Sequence, residues 1–517
     1  MAKSTTQAVK TRCSGRGLAF YLTCFIVVTP VLLCLAVRNH ECILEAVFRR
    51  PDIKTVFPFS DAVWAAPGAE PTKADDAVVP WTLQVLKTVF PFGSEEEATQ
   101  PTKPDDDAIL PWKLQVSSKD LEDLQNRLRR TRYGTAMPGQ NFAYGFPADQ
   151  LKNIVDYWLN KYDWKKQEAL INQYDHFKTN IEGLNIHFVR VQPAKSTDSK
   201  RNIRVTPIIL LHGWPGSFFE LYKLIPLLTT PQQIAGNDYA AFEVIIPSLP
   251  GFGFSDAPQQ PGLKPADIAR IFHKLMTRLN FAAYFVHGSD WGSTIGRYLA
   301  VMYPEHVLGV ELTLYGRVIP TSYSVLHYIL HLTMPRFLFE VSEPHKLLLG
   351  NFFNLMRETG YLHIQSTKPD TVGAGLLDSP AGLAGYILEK FSTWTNADNM
   401  NKADGGLTEY FNLDDLLTNV MVYWVSGSII TSQRLYKETW STGGLSDGFP
   451  VLVPSVLSDF RHEFAGNNAP DEFVRPYFKD LITISKHNSG GHFPAMERPA
   501  DLAEDIWALA KNVLSRE

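Results

Sequence analysis

The sequence predicts an α/β chain: a mostly parallel sheet interrupted by a long helical insertion and preceded by a membrane anchor. Three observations predict it. From about residue 203, short apolar runs bounded by turn residues alternate with helical patterns, as a parallel sheet requires. A stretch rich in tyrosine and phenylalanine, residues 320–445, breaks that alternation before it resumes. Residues 18–37 are almost wholly apolar and about as long as a bilayer-spanning helix.

Residues 1–17 form a basic tail carrying Lys3, Lys10, Arg12 and Arg16 ahead of the apolar run. A cleavable signal peptide has an apolar core of about 7–15 residues. This run is longer, so a single transmembrane anchor over 18–37 is expected. Arg38, Arg49, Arg50 and Lys54 follow it, and cations on both sides assign no orientation. Residues 38–110 read as a linker with a duplicated segment. Thr55-Val56-Phe57-Pro58-Phe59 recurs as Thr88-Val89-Phe90-Pro91-Phe92, and the Pro71–Val85 pattern recurs from Pro101 to Val116. Two copies are too few for a solenoid. Only the second leads into a helix signal, Ser117-Ser118-Lys119-Asp120 followed by Leu121, Leu124 and Leu128, so it is the expected domain entrance.

An N-terminal region over 111–202 follows, then a sheet domain in two parts, 203–319 and 446–517. Strands are expected at 206–211, 242–247, 283–287, 310–314, 451–456 and 481–485. The insertion, 320–445, is expected to be a mostly helical cap over the carboxyl edge of the sheet, where open α/β sheets place their sites. A net charge of −5 argues against a nucleic-acid footprint. All four cysteines (Cys13, Cys24, Cys34, Cys42) fall within the first forty-odd residues, so the body has no disulfide, zinc–thiolate site or cysteine nucleophile.

The chemistry is concentrated in three motifs. His287-Gly288-Ser289-Asp290-Trp291-Gly292 has the shape of a nucleophile elbow, a tight strand-to-helix turn with flanking glycines. A serine there makes an acyl-enzyme, but the central residue is Asp290. A carboxylate attacks an electrophilic carbon and becomes the acyl half of an ester. That points to epoxide opening or displacement of a halide; taken alone, the motif also fits a plain turn with Asp290 as an N-cap. His212-Gly213-Trp214-Pro215-Gly216 follows the strand at 206–211. Such a loop can aim a backbone N–H, that of Trp214, at developing negative charge, with the Trp291 N–H as partner. His212 itself reads as a structural hydrogen-bonding residue. Ser489-Gly490-Gly491-His492-Phe493-Pro494 lies after the last strand and offers His492 as a general base near neutral pH. Asp459 and Glu463 both follow the strand at 451–456, and either could orient that histidine.

These motifs, with Pro250-Gly251-Phe252-Gly253-Phe254-Ser255, resemble the microsomal epoxide hydrolase family. The insertion carries more of the likeness: Gly360-Tyr361-Leu362-His363-Ile364-Gln365, Ser379-Pro380-Ala381-Gly382-Leu383 and Leu388-Glu389-Lys390-Phe391-Ser392-Thr393-Trp394-Thr395-Asn396. The likeness runs from about Trp112 to the C-terminus; the duplicated segment departs from it. It implies an α/β-hydrolase fold with an inserted, mostly helical cap domain and an N-terminal membrane anchor. It also implies Asp290 as nucleophile, His492 as water-activating base and Glu463 as the acid that orients it. Tyr361 and Tyr436 correspond to the two phenols that polarise the epoxide. No metal or organic cofactor is implied. The implied substrate is an apolar epoxide, either an arene or alkene oxide or a juvenile hormone, hydrolysed to a vicinal diol. The implied location is the endoplasmic reticulum (microsomal) membrane, spanned once, with the catalytic body in the cytosol. Two other readings share parts of the pattern. A haloalkane dehalogenase also uses an aspartate elbow, but it needs halide donors rather than paired phenols. A membrane-anchored carrier of hydrophobic ligands would keep the fold without needing the acid, the base and the tyrosines.

Overall fold

The computed structural model describes residues 107–194, 202–236, 238–315, 356–441, 449–464 and 471–516. They all belong to one of the chain's two compact units, Ser60–Pro320 with Leu347–Glu517. The basic tail, the expected anchor at 18–37 and the first repeat lie outside the described residues, as do the linker up to 106 and the insertion's first 36 positions. Among the described residues, no helix is long and apolar enough to cross a membrane.

Among the described residues ten strands make one sheet: β1 Ile109–Trp112, β2 Asp175–Ile181, β3 Leu184–Val191, β4 Asn202–Leu211, β5 Gln232–Ala235, β6 Asp238–Pro247, β7 Tyr284–Gly288, β8 Val307–Leu312, β9 Val451–Phe460 and β10 Phe478–His487. Their order is β1-β2-β3-β6-β4-β7-β8-β9-β10, with β5 paired to β6. The six strands from β6 to β10 in that order run parallel, and β1, β2 and β3 pair antiparallel at one side. Each strand expected from the apolar runs is present. The antiparallel strands were not expected, because the burial of β2 and β3 is uneven and gives no clean apolar alternation.

β4 lies between β6 and β7, so the chain leaves β4 to one side and returns to the other. This is a topological switch point, where the loops at the carboxyl ends of two neighbouring strands diverge and open a crevice. The loop after β4 carries His212 to Gly216, and the turn after β7 carries Asp290.

The helices follow from capping and apolar spacing. Ser117 caps α1, Ser118–Arg129, by accepting the Asp120 N–H at 3.1 Å, and Leu124 and Leu128 are buried. Then come α2 Ala148–Asn160, α3 Trp164–Ile171, α4 Pro265–Arg278 and α5 Trp291–Met302. All twelve residues of α5 are buried, as expected of a helix packed on β7, β8, β4 and α4 together. Between β8 and β9 the described part of the insertion is helical: α6 Gly360–Thr367, α7 Pro369–Asp378, α8 Pro380–Thr393, α9 Leu413–Ser426 and α10 Ile429–Ser441. The N-terminal α1 and α2 pack against α8. The chain closes with α11, Pro499–Leu514, laid on β8 and β9.

Candidate active site

Asp290 is the second of the two residues between β7 and α5, with φ 48° and ψ −119°. For a residue with a Cβ this left-handed conformation costs roughly 1–3 kcal/mol, and strain of that kind collects at functional turns. Close packing holds it in place. A Cβ on Gly292 would sit 2.0 Å from the Leu211 carbonyl oxygen, so only glycine lets α5 approach the end of β4 so closely. A Cβ on Gly213 would fall 2.3 Å from Asp290 Oδ1. The loop after β4 therefore reaches the carboxylate through a glycine, and the Trp214 N–H donates to Oδ1 at 2.9 Å. Trp291 is the first residue of α5, so its N–H is one of the four without an intrahelical acceptor.

The other carboxylate oxygen, Oδ2, lies 3.4 Å from His492 Nε2. On the far side of the imidazole, Nδ1 is 2.9 Å from both oxygens of Glu463. Burial alone would lower the His492 pKa; the charge of Glu463 and the contacts with Asp290 and Glu463 outweigh it and push it up to about 10. His492 thus lies between the two acidic side chains, which hold its proton more tightly than a free imidazole would. Asp459 does not join it. That residue sits within β9, in register with Lys486 on β10, and burial raises its pKa to about 6.

The two tyrosines of the insertion meet over the same spot. Tyr361 stacks on Trp214 with ring centroids 5.2 Å apart, and Tyr436 stands edge-on to Trp214 and Trp291 at 5.9 and 4.8 Å. The two phenol rings are 5.8 Å apart. Both are buried. Residues that stand 75 apart along the insertion are therefore brought to one aromatic cluster against the elbow and the β4 loop.

Residues 109–221 match the family model described as the epoxide hydrolase N terminus, and 206–442 match the α/β-hydrolase fold. The chain is 43% identical over 429 residues to epoxide hydrolase 1 of Oryctolagus cuniculus, a match spanning 80% of this chain and 89% of that one. The chain belongs to the epoxide hydrolase family. It is 44% identical over 401 residues to juvenile hormone epoxide hydrolase 1 of Ctenocephalides felis, covering 77% and 84% of the two chains. Among solved structures it resembles the juvenile hormone epoxide hydrolase of the silkworm Bombyx mori. That match has a TM-score of 0.73 and 38% identity, over 80% of this chain and 96% of that one. The enzyme is thus an epoxide hydrolase with an α/β-hydrolase fold.

The sequence pattern assigns no catalytic role to the other residues of this enzyme's site. Trp394 ends α8, its carbonyl accepts the His492 N–H at 3.1 Å, and its ring lies 5.0 Å from the imidazole. Phe464 stacks on Trp394 at 4.1 Å and also faces His492. Glu497 accepts the N–H groups of Gly491 and Phe493, each at 3.0 Å, and so clamps the backbone on both sides of His492. The insertion holds the β4 loop as well. Asn419 donates to the Pro215 carbonyl at 2.8 Å and Tyr423 to the Gly216 carbonyl at 2.7 Å, both from α9. His212 is structural, as expected: its Nε2 accepts the Leu249 N–H at 3.2 Å, and burial lowers its pKa to about 4. His287 does not reach the site; it pairs with buried Glu311.

Proposed function

We propose that Asp290 is the nucleophile, His492 the general base and Glu463 the acid that orients it, in a two-step hydrolysis of apolar epoxides to vicinal diols. The observation that carries this reading is the division of labour at one carboxylate, with Oδ1 held by the Trp214 N–H and Oδ2 turned toward His492. In the first step Oδ2 attacks a ring carbon and the C–O bond of the epoxide breaks. An alkoxide is a poor leaving group unless a proton donor meets it, and a phenol with a pKa near 10 keeps its proton at neutral pH. Tyr361 and Tyr436 are the donors proposed for that oxygen.

The product of the first step is an ester, and it changes the electrostatics. Esterified Asp290 no longer carries the negative charge that helps to keep His492 protonated, so the imidazole can pass its proton, by way of the phenols, to the ring-opened alkoxide and then accept one from water. Hydroxide adds to the ester carbon. The negative charge then develops on Oδ1, where the Trp214 N–H already points and the Trp291 N–H is the proposed second donor. Collapse releases the diol and restores the carboxylate. No metal or organic cofactor takes part in the proposed sequence.

The proposal is tested by a single turnover in oxygen-18 water. The first diol is expected to carry an unlabelled oxygen from Asp290; label in that first diol would mean direct attack by water and would overturn the ester. The insertion is proposed to act as a cap supplying the two phenols, and its aromatic lining suits apolar epoxides. The relatives' names include both general and juvenile hormone epoxide hydrolases. A panel comparing styrene oxide with a juvenile hormone separates those substrate classes. Residues 18–37 are proposed to anchor the enzyme once in the endoplasmic reticulum membrane with the body in the cytosol. Deleting residues 1–37 is expected to move the activity from the membrane pellet to the soluble fraction.

A further inference from the structure

Beside the Asp290–His492 pair stands one buried carboxyl to which neither half-reaction assigns a role. Glu220 lies on the short 3-10 helix Phe218–Leu224 that follows the β4 loop, and it is only 3% exposed. Its side chain turns back toward the elbow. With Gly213, Trp214, Gly216, Asp290, His492 and Phe493 it lines a narrow gap beside the catalytic pair, without room for a water molecule as it stands. A Cβ on Gly216 would lie 1.8 Å from Glu220 Oε2, so the chain keeps a glycine where the carboxyl must pass.

Among the described residues no backbone or side-chain donor reaches the Glu220 carboxyl. A buried carboxyl without a donor is costly, and such groups in native proteins call for an explanation. Burial, and after it the negative charges of Asp290 and Glu497 working against the positive charge of His492, raise its pKa to about 8. At neutral pH it is therefore an uncharged acid with one carbonyl-type acceptor oxygen and one O–H donor. Being uncharged, it can stand beside Asp290 without the repulsion a second carboxylate would add.

We propose that Glu220 positions the hydrolytic water in the second half-reaction. The inference rests on the reading of Asp290 as an ester-forming nucleophile. A water that attacks the Asp290 ester carbon must give one proton to His492 Nε2, and its direction is set only when its second hydrogen is also held. The gap beside the pair is where such a water meets all three groups. It is too tight to hold one in the resting geometry, so a side chain has to yield, and Glu220 is the one that no protein donor pins. The water O–H bond breaks, its proton goes to His492 Nε2, and the oxygen bonds to the ester carbon. The ester C–O bond then breaks and the departing diol oxygen takes the proton from His492. The second water hydrogen points throughout at the Glu220 acceptor oxygen, and Glu220 keeps its own proton.

The experiment compares wild type, Glu220→Leu and Glu220→Gln in the full-length enzyme mixed in excess with styrene oxide. Quenched samples are read by intact mass for the Asp290 ester and by chromatography for diol. Glu220→Leu is expected to form the ester within about threefold of the wild-type rate but to hydrolyse it roughly 10- to 100-fold more slowly, from the loss of one hydrogen bond to the attacking water. Glu220→Gln keeps an acceptor of the same reach and is expected to hydrolyse within about threefold of wild type. A purely structural role would slow both half-reactions together and would not be rescued by glutamine; that pattern, or normal ester hydrolysis by Glu220→Leu, overturns the inference while leaving the Asp290 reading intact. If wild type itself forms no ester on Asp290, the Asp290 reading fails and this inference with it.

Discussion

Replacing Glu463 by glutamine tests the base side of the mechanism most directly. The two side chains are nearly sealed from solvent, 4% exposed for Glu463 and 1% for His492, and both carboxylate oxygens lie 2.9 Å from Nδ1. The charge of Glu463 is the largest of the contributions that raise the His492 pKa. Glutamine keeps an oxygen that can accept the Nδ1–H, so the tautomer is retained and the charge is what is lost. A hydrogen bond to a charged partner contributes roughly 1.5–3 kcal/mol. At about 1.36 kcal/mol per tenfold, that is roughly a 10- to 150-fold slower hydrolysis of the ester. Ester formation is expected to stay within about threefold, because Asp290 is still held by Trp214. The assay is rapid mixing of excess enzyme with a styrene-oxide-type substrate, a quench, and intact mass spectrometry. The variant is expected to accumulate a protein heavier by one substrate molecule. Normal turnover without that species, together with an inactive Asp459→Asn enzyme, would refute the assignment and move the role to Asp459.

Other outcomes follow from the same geometry. Tyr436→Phe and Tyr361→Phe are each expected to slow ester formation about 10-fold, the loss of one hydrogen bond to the ring oxygen, and to leave ester hydrolysis unchanged; a stopped-flow trace separates the two phases. Hydrolysis of the ester needs neutral His492, so its rate is expected to rise with pH. The apparent pKa should lie below the free-enzyme value of about 10, because esterified Asp290 no longer raises it. Glu463→Gln is expected to move that limb further toward acid, and a shift to higher pH would contradict the charge argument. Gly292→Ala places a Cβ 2.0 Å from the Leu211 carbonyl oxygen. Since backbone must move to relieve it, the midpoint of urea unfolding is expected to fall by the equivalent of roughly 1–3 kcal/mol.

Much of the sheet could be read from the chain because parallel strands buried on both faces appear as continuous apolar runs. The runs at 206–211 and 283–287 correspond to β4 and β7, and the turn that follows each was visible as a glycine-flanked motif. The antiparallel strands β2 and β3 were not visible. They bury charged and polar residues such as His176 and His187, which bond to each other at 2.9 Å and so mask the period-two signal. Glu220, Glu497, Trp394 and Phe464 were missed for a related reason. Each acts through the third dimension, as a carboxyl beside a gap, a clamp on two backbone N–H groups, or a ring against an imidazole, and no spacing along the chain encodes such contacts.

The sequence by itself determined the order of strands and helices in the sheet domain, the replacement of serine by Asp290 at the elbow, and hence the class of chemistry. These are local matters, set by apolar period, by glycine where backbones touch, and by the identity of one side chain. The choice between two acids that follow the same strand was left open by residues alone, although the family likeness favoured Glu463. Tertiary structure distinguishes them by distance: the turn after β9 brings Glu463 to 2.9 Å from His492, while Asp459 stays within the strand opposite Lys486. Tertiary structure also brings Tyr361, Tyr436 and Glu220 around the elbow, through α9 bonding to the β4 loop and the insertion packing on both tryptophans. The physical reason is that electrostatic and hydrogen-bonding roles depend on distances of a few ångströms between segments far apart in the chain, which only packing sets.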